Sequence, residues 1–472
     1  MIKKYLPFFI FFILVQLSNS QELRLQKGVI MDSIAVKDSV NHTFALYLPE
    51  RFEMKGSWPV LFVFDMNGKS KQSMAMFKNA AEANGYILAS PNMVNDSLTV
   101  SQNILNADMV IRQVKSLFPV NNNRIYTAGY SSGARFANLA PIVIKDIKGV
   151  LSIGASLVNT ELLLTKNPFH FVAISGTEDF NYTSLIEDEK VLNRLKFPNN
   201  LLFFDGGTEW PNPTYIEKAL SLFDLSAMAK GNIPKDSLFI AQNYKKELKD
   251  IEVLQSTKNL LLTERLIKET ITSYRTLIPI DSLKNVQKSL KKDKLYRSLN
   301  RIQNAALFKE NLLREDFAYY LEEDILTYNY NNLGWWNYQM TQINGFISGD
   351  SKLEQQMGKR LLGYVNALVE DNIDLVQAEP IADDEALILL LMLKTITEPD
   401  QIDNYIKVIS IASKNSDYGT ALYYLEELLK KGFKNKNQLY NIEHTTLFKI
   451  TPEFNKLIEK YLNNARYEIK DE

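Results

Sequence analysis

The sequence predicts an α/β fold followed by an all-helical half. Two observations carry this. Up to about residue 215, short apolar runs alternate with stretches of helical period; beyond it the strand-like runs stop and only helical patterning continues. Three segments are expected: an export signal over 1–20, an α/β unit over 21–225 and an all-helical unit over 226–472.

The strand candidates come in order. GVIMDSIAV and HTFALYLP read as an antiparallel pair near the start. VLFVF (60–64) is a continuous apolar run between Pro59 and the turn Asp65-Met66-Asn67-Gly68. YILAS (86–90), RIYTAG (124–129), GVLSIGA (149–155), FHFVAIS (169–175) and NLLFFDGG (200–207) repeat the theme. Runs that are apolar on both faces belong inside a parallel sheet covered by helices. The intervening helices are legible in SMAMFKNAAEAN (73–84) and ILNADMVIRQVKSLF (104–118), whose apolar residues recur at helical spacing.

In the second half the clearest helix is DYGTALYYLEELLKKGF (417–433). Tyr418, Ala421, Leu422, Leu425, Leu428 and Leu429 share one face, and Gly432 is placed to end it. A further helix begins at Thr451-Pro452-Glu453, with Thr451 as N-cap. Helix pairs of this kind are similar to tetratricopeptide-type repeats at 417–462, although no clean 34-residue consensus recurs, and an irregular bundle is the equal alternative. KKDK (291–294) reads as a solvated helix face. Trp335-Trp336 with Tyr328, Tyr330 and Tyr338 reads as packing between helices, or else as the wall of a groove.

Composition removes several classes of function. With 54 Lys+Arg against 55 Asp+Glu, there is no basic footprint for nucleic acid. The absence of cysteine excludes disulfides, thiolate nucleophiles and cysteine metal sites. Three histidines (His42, His170, His444) are too few to suggest a histidine-rich metal centre, so neither metal nor cofactor is expected. Lys3 and Lys4, the apolar run Leu6–Leu17 and the small residues Ser18-Asn19-Ser20 read as an export signal, with the mature chain starting at Gln21. An uncut anchor is the alternative, but the run is shorter than the ~20 residues a spanning helix needs. ALILLLML (386–393) is also too short and reads as a buried helix. The expected location is a bacterial periplasm or the medium, with no stable membrane span after cleavage.

One motif carries chemistry. Gly129-Tyr130-Ser131-Ser132-Gly133 fits G-x-S-x-G, and it lies between a predicted strand and the predicted helix SGARFANLA. A nucleophile on so sharp a turn needs neighbours without side chains, which Gly129 and Gly133 supply. The N–H of Ser132, at a helix N-terminus, is suited to stabilising an oxyanion.

On these residues the chain resembles the α/β-hydrolase family, within it the secreted esterase and polyhydroxybutyrate-depolymerase-like branch. The resemblance covers about residues 40–225 and includes ALYLP, VLFVF, YILASPN, RIYTAGYSSGAR, GTEDFNY and GGTEWP. It implies Ser131 as nucleophile, Asp179 as the acid, and Asn67 and Gly68 in the oxyanion loop beside Ser132. It also implies a histidine at 208, where the family pattern GGH-x-W-P reads GGTEWP and Thr208 stands instead. Threonine cannot act as a general base near neutral pH. His42, His170 and His444 read as structural or surface residues, and nothing in the sequence recommends Glu209 as a substitute. Asp65 either brings an opposing charge to the oxyanion loop or caps its own turn.

Three readings follow. In the first, a catalytically impaired hydrolase domain binds a small ester or peptide ligand, and the helical half docks a protein partner. In the second, Ser131 still works with a non-standard base. In the third, the domain is only an envelope packing module. Any cleft is expected to be covered in part by the helical half.

Overall fold

The computed structural model describes residues 25–37 and 41–467; the expected export signal lies outside the described residues. The first half is an α/β unit built on one mostly parallel sheet, and the second half is all-α. The strands are β1 (Ile30–Ala35), β2 (Thr43–Tyr47), β3 (Trp58–Phe64), β4 (Ile87–Pro91), β5 (Val120–Tyr130), β6 (Gly149–Ile153), β7 (His170–Gly176) and β8 (Asn199–Phe204). They form one sheet in the order β1-β2-β4-β3-β5-β6-β7-β8. The β1–β2 and β2–β4 pairings are antiparallel, and every pairing from β4 to β8 is parallel. Helices α1 (Ser70–Asn84), α2 (Val100–Leu117), α3 (Ser132–Val143), α4 (Asn181–Arg194) and α5 (Pro213–Ala229) connect or follow these strands.

The sheet forms because its central strands are apolar on both faces. Val60, Phe62 and Phe64 enter one core layer with α2, α3 and α4 residues, while Leu61 and Val63 enter the other with α1 and α5. Every residue of β4, β6 and β7 is buried. The expected strand RIYTAG begins four residues earlier than the apolar pattern indicates. Val120 pairs with Trp58 ahead of a register shift, so the polar Asn121–Asn123 extend β5 along its exposed start.

The helical half comprises α6 (Ser237–Ser256), α7 (Leu260–Tyr274), α8 (Asp281–Leu290), α9 (Lys294–Thr327), α10 (Leu333–Ile347), α11 (Lys352–Ala378), α12 (Asp384–Thr397), α13 (Ile402–Lys414), α14 (Tyr418–Lys430), α15 (Lys436–Tyr440) and α16 (Pro452–Leu462). Position 225 falls inside α5, and Met228 still packs in the sheet's core, joined there by Ile240 of α6 and Tyr274 of α7. The first helices of this half therefore cover the sheet rather than stand apart from it. The later helices have their own core around Trp336, Leu361, Leu390, Val408 and Leu425.

Local chemistry explains the ends. Thr451 accepts the Phe454 N–H at the start of α16, and Gly432, at φ +87°, follows α14 in the left-handed conformation. Trp336 is buried, and its Nε1 donates to Asp324 at 2.8 Å, so this tryptophan is interhelical packing, whereas Tyr328 and Tyr338 are exposed. KKDK is solvated as expected, but it is not a single helix face: 291–293 form the turn between α8 and α9, Lys294 opens α9, and Asp293 accepts the Tyr296 N–H as N-cap. The local hydrogen bonding of Asp293 outweighs helix continuation there.

Candidate active site

Strand β5 ends at Tyr130, and the chain turns at Ser131 directly into α3. Ser131 has φ 51° and ψ −118°, a conformation that L-residues rarely adopt. Its N–H donates to Ile153 O at 2.9 Å, and its carbonyl accepts the Ala134 and Arg135 N–H groups, both at 3.0 Å. The two glycines are required by space. A Cβ on Gly129 would lie 2.2 Å from the carbonyl carbon of Gly133, and one on Gly133 would lie 2.3 Å from Phe64 O at the end of β3. The side chain of Ser131 is exposed, and Ser132 opens α3 among the unpaired N–H groups of a helix N-terminus.

Asp179 lies in the loop after β7 and is 2% exposed. Its Oδ1 accepts from Asn181 N at 2.8 Å and from Asn181 Nδ2 at 3.1 Å. Burial pushes its carboxyl up from the ordinary range, and the Asn181 bonds partly oppose that. The other oxygen abuts Gly154: a Cβ there would be 3.4 Å from Asp179 Oδ2 and 3.9 Å from the Tyr130 ring. Gly154 directly follows Ile153, the residue that holds the Ser131 N–H. The acid and the elbow thus meet across one glycine.

The loop after β8 carries Thr208. Its side chain is exposed, and its carbonyl accepts the Tyr130 hydroxyl. Trp210 stacks on Tyr130 with centroids 4.3 Å apart and rings 17° from parallel. The Tyr130 phenol is raised above its ordinary range, first by burial and then by the Asp179 and Glu209 charges. Glu209 folds back on its own loop, where Oε2 accepts the Gly207 N–H at 2.9 Å. Tyr130 therefore joins all three loops, a role its unspecified position in G-x-S-x-G does not announce.

The histidines stand elsewhere. His170 is the first residue of β7, roughly 20 Å along the strand from the edge that carries Asp179. Its Nε2 pairs with Asn200 Oδ1 at 2.9 Å, and burial pushes its pKa down to about 4, so it is a neutral core residue. His42 precedes β2, three strands and roughly 14 Å across the sheet from β5. His444 is exposed in the turn between α15 and α16.

At the expected oxyanion loop, one expected donor is engaged. Asp65 Oδ1 accepts the Asn67 N–H at 2.7 Å, and its Oδ2 accepts the Ser73 hydroxyl. Asp65 therefore acts as a turn cap, and the Asn67 amide is taken up inside that turn. Gly68 follows at φ +68°.

The loops around the site are braced by a helix that no local motif signals. Helix α11 runs along the sheet's C-terminal edge. Lys352 pairs with Asp205 at 2.5 Å, Lys359 with Glu178 at 2.9 Å and Asp371 with Arg135 of α3 at 3.5 Å. Arg360, 4% exposed at its side chain, donates to Thr177 O at 2.7 Å and pairs with fully buried Glu310 of α9 at 2.6 Å. Glu310 also accepts the Thr183 hydroxyl at 2.6 Å. The loop carrying Asp179 is thus tied at both ends to the helical half.

Chemically, the arrangement offers a strained serine at a helix N-terminus and a buried carboxyl, with no imidazole between them. Among the described residues, no cluster of three or more His, Asp or Glu is arranged to hold a metal. No helix among them is long and apolar enough to cross a membrane. No family model matches the chain, and no curated protein matches it. Among solved structures it is similar to Est1E from Butyrivibrio proteoclasticus, at 16% identity and a TM-score of 0.35, covering 42% of this chain and 99% of that one. It is also similar to FphF, a fluorophosphonate-binding serine hydrolase of Staphylococcus aureus (13% identity, TM-score 0.35, 42% and 99% covered). The S-formylglutathione hydrolase FrmB of Staphylococcus aureus is similar at 13% identity and a TM-score of 0.34, with 41% and 95% covered.

Proposed function

We propose that this chain is an exported, catalytically impaired α/β-hydrolase-like protein that acts by binding. The ligand class is a small ester or peptide held at the Ser131 edge, and the helical half, repeat-like at 417–462, is the surface that docks a protein partner. One observation carries the reading. The position where the resemblance implies a base holds Thr208, whose carbonyl accepts the Tyr130 hydroxyl, while all three histidines stand away from the elbow. Without a base, the Ser131 hydroxyl stays protonated and cannot attack a carbonyl efficiently. Loss of the base alone costs on the order of 10⁶-fold in serine hydrolases.

The second reading, a working serine hydrolase with a non-standard base, is favoured by the geometry of Ser131 itself, which retains a conformation that a purely structural turn has no need of. A fluorophosphonate probe separates the two. Under the binding reading, wild-type labelling equals that of Ser131→Ala; strong labelling of Ser131 overturns it. Thr208→His should then raise hydrolysis of an activated ester at least about tenfold, roughly 1.4 kcal/mol of barrier, and the gain should vanish in Ser131→Ala. No gain would mean that position 208 is not the seat of the base.

A further inference from the structure

We propose that helix α9 is a self-association surface that pairs antiparallel with α9 of a second copy of this chain. The helix is 34 residues long, roughly 50 Å, and one face is exposed along its whole length. On that face stand Leu295, Ile302, Phe308, Leu312, Tyr319 and Leu326, between 42% and 73% exposed. Apart from Phe308, which flanks the seam, the spacing follows a seven-residue repeat. In the first half the apolar residues fall at one seam position (Leu295, Ile302), and in the second half at the other (Leu312, Tyr319, Leu326).

That change of position selects the orientation. In an antiparallel pair centred between Glu310 and Asn311, Leu295 meets Leu326 of the second copy and Ile302 meets its Tyr319, each contact occurring twice by symmetry. A parallel pair would instead set Asp316 against Asp316 and Glu323 against Glu323.

Charge gives an independent argument. The exposed charges from 294 to 309 are all basic: Lys294, Arg297, Arg301 and Lys309. Those from 312 to 327 are all acidic: Glu315, Asp316, Glu322 and Glu323. This distribution opposes the helix's own dipole, which favours anions at the N-terminus and cations at the C-terminus. It is therefore not there to stabilise the isolated helix. An antiparallel second copy lays each basic half along an acidic half, with Arg301 beside Glu322. The stripe, about 50 Å long and 10 Å wide, would bury roughly 1,000 Å² in total, at the lower limit of specific interfaces.

Sedimentation of the full chain from low to high micromolar concentration should show a reversible dimer. Phe308→Glu with Leu312→Glu should weaken it at least about 30-fold while leaving the thermal melt of the fold unchanged. Arg297→Glu/Arg301→Glu chains and Glu322→Arg/Glu323→Arg chains should each be monomeric alone and dimerise when mixed. Because the chain has no cysteine, Ser298→Cys and Glu323→Cys chains report the orientation: they should form a disulfide with each other and not with themselves. A chain that stays monomeric throughout, a dimer indifferent to these substitutions, or faster Ser298→Cys self-coupling than mixed coupling would overturn the proposal.

Discussion

The elbow after β5 and the loop after β8 strike opposite balances between framework and chemistry. At the elbow the backbone geometry is in place: a strained Ser131, two glycines packed against backbone, and a helix start behind it. In the loop the frame persists, with Gly206, Gly207, Trp210 and Pro211 in position and Trp210 stacked on Tyr130, but Thr208 presents only its carbonyl to the site. Framework and chemistry are thus separable. Close packing against backbone requires Gly129 and Gly133 at the elbow, and Trp210 is seated on Tyr130, whereas the side chain at 208 is exposed.

The largest effect should come from the glycines that distinguish the two regions. Gly133→Ala should destabilise the fold by about 3 kcal/mol or more, because the new methyl meets Phe64 O. Gly207→Ala should cost only about 0.5 kcal/mol, since its nearest neighbour is the movable carboxylate of Glu209 at 3.1 Å. Equal urea midpoints for the two variants would break the contrast. Ser131→Gly should stabilise the protein by about 1 kcal/mol: relief of the strained backbone exceeds the extra freedom that glycine gives the unfolded chain. A loss of stability would mean that the turn is not strained.

A comparable effect tests the acid. The Asp179 carboxyl is raised by burial, so its contribution is greatest at pH values below its unfolded pKa and falls as pH rises through its folded pKa. Asp179→Asn keeps the acceptor for Asn181 and should stabilise the protein at pH 7–8 by about 1 kcal/mol, with the advantage closing as pH falls toward 4. Thermal melts across that range give the answer. An advantage that does not change with pH would remove the buried charge as its cause.

Much of this was legible in the sequence, and the reasons are local. Runs such as VLFVF are apolar at every position because both faces of a central strand are covered. G-x-S-x-G is readable because steric demand at Ser131 leaves only glycine as a neighbour. Less legible were features set by distant partners. Asn121–Asn123 join β5 only because Val120 pairs with Trp58. Nothing around Arg360 reveals that it reaches Thr177, nor does Glu310 reveal that Thr183 approaches it. The Asp65 cap shows the same limit: its residue type allowed two readings, and only the Asn67 and Ser73 contacts distinguish them.

The Arg360–Glu310 pair has one further consequence. Because Arg360 holds Thr177 and Glu310 holds Thr183, two helices grip the segment that carries Asp179 from both sides. Any displacement of α9 or α11 must either carry that segment along or leave a buried charge without its partner, a penalty of several kcal/mol. The helical half is therefore mechanically geared to the sheet's edge, and by reciprocity anything that stiffens the Asp179 segment must alter how readily these helices move.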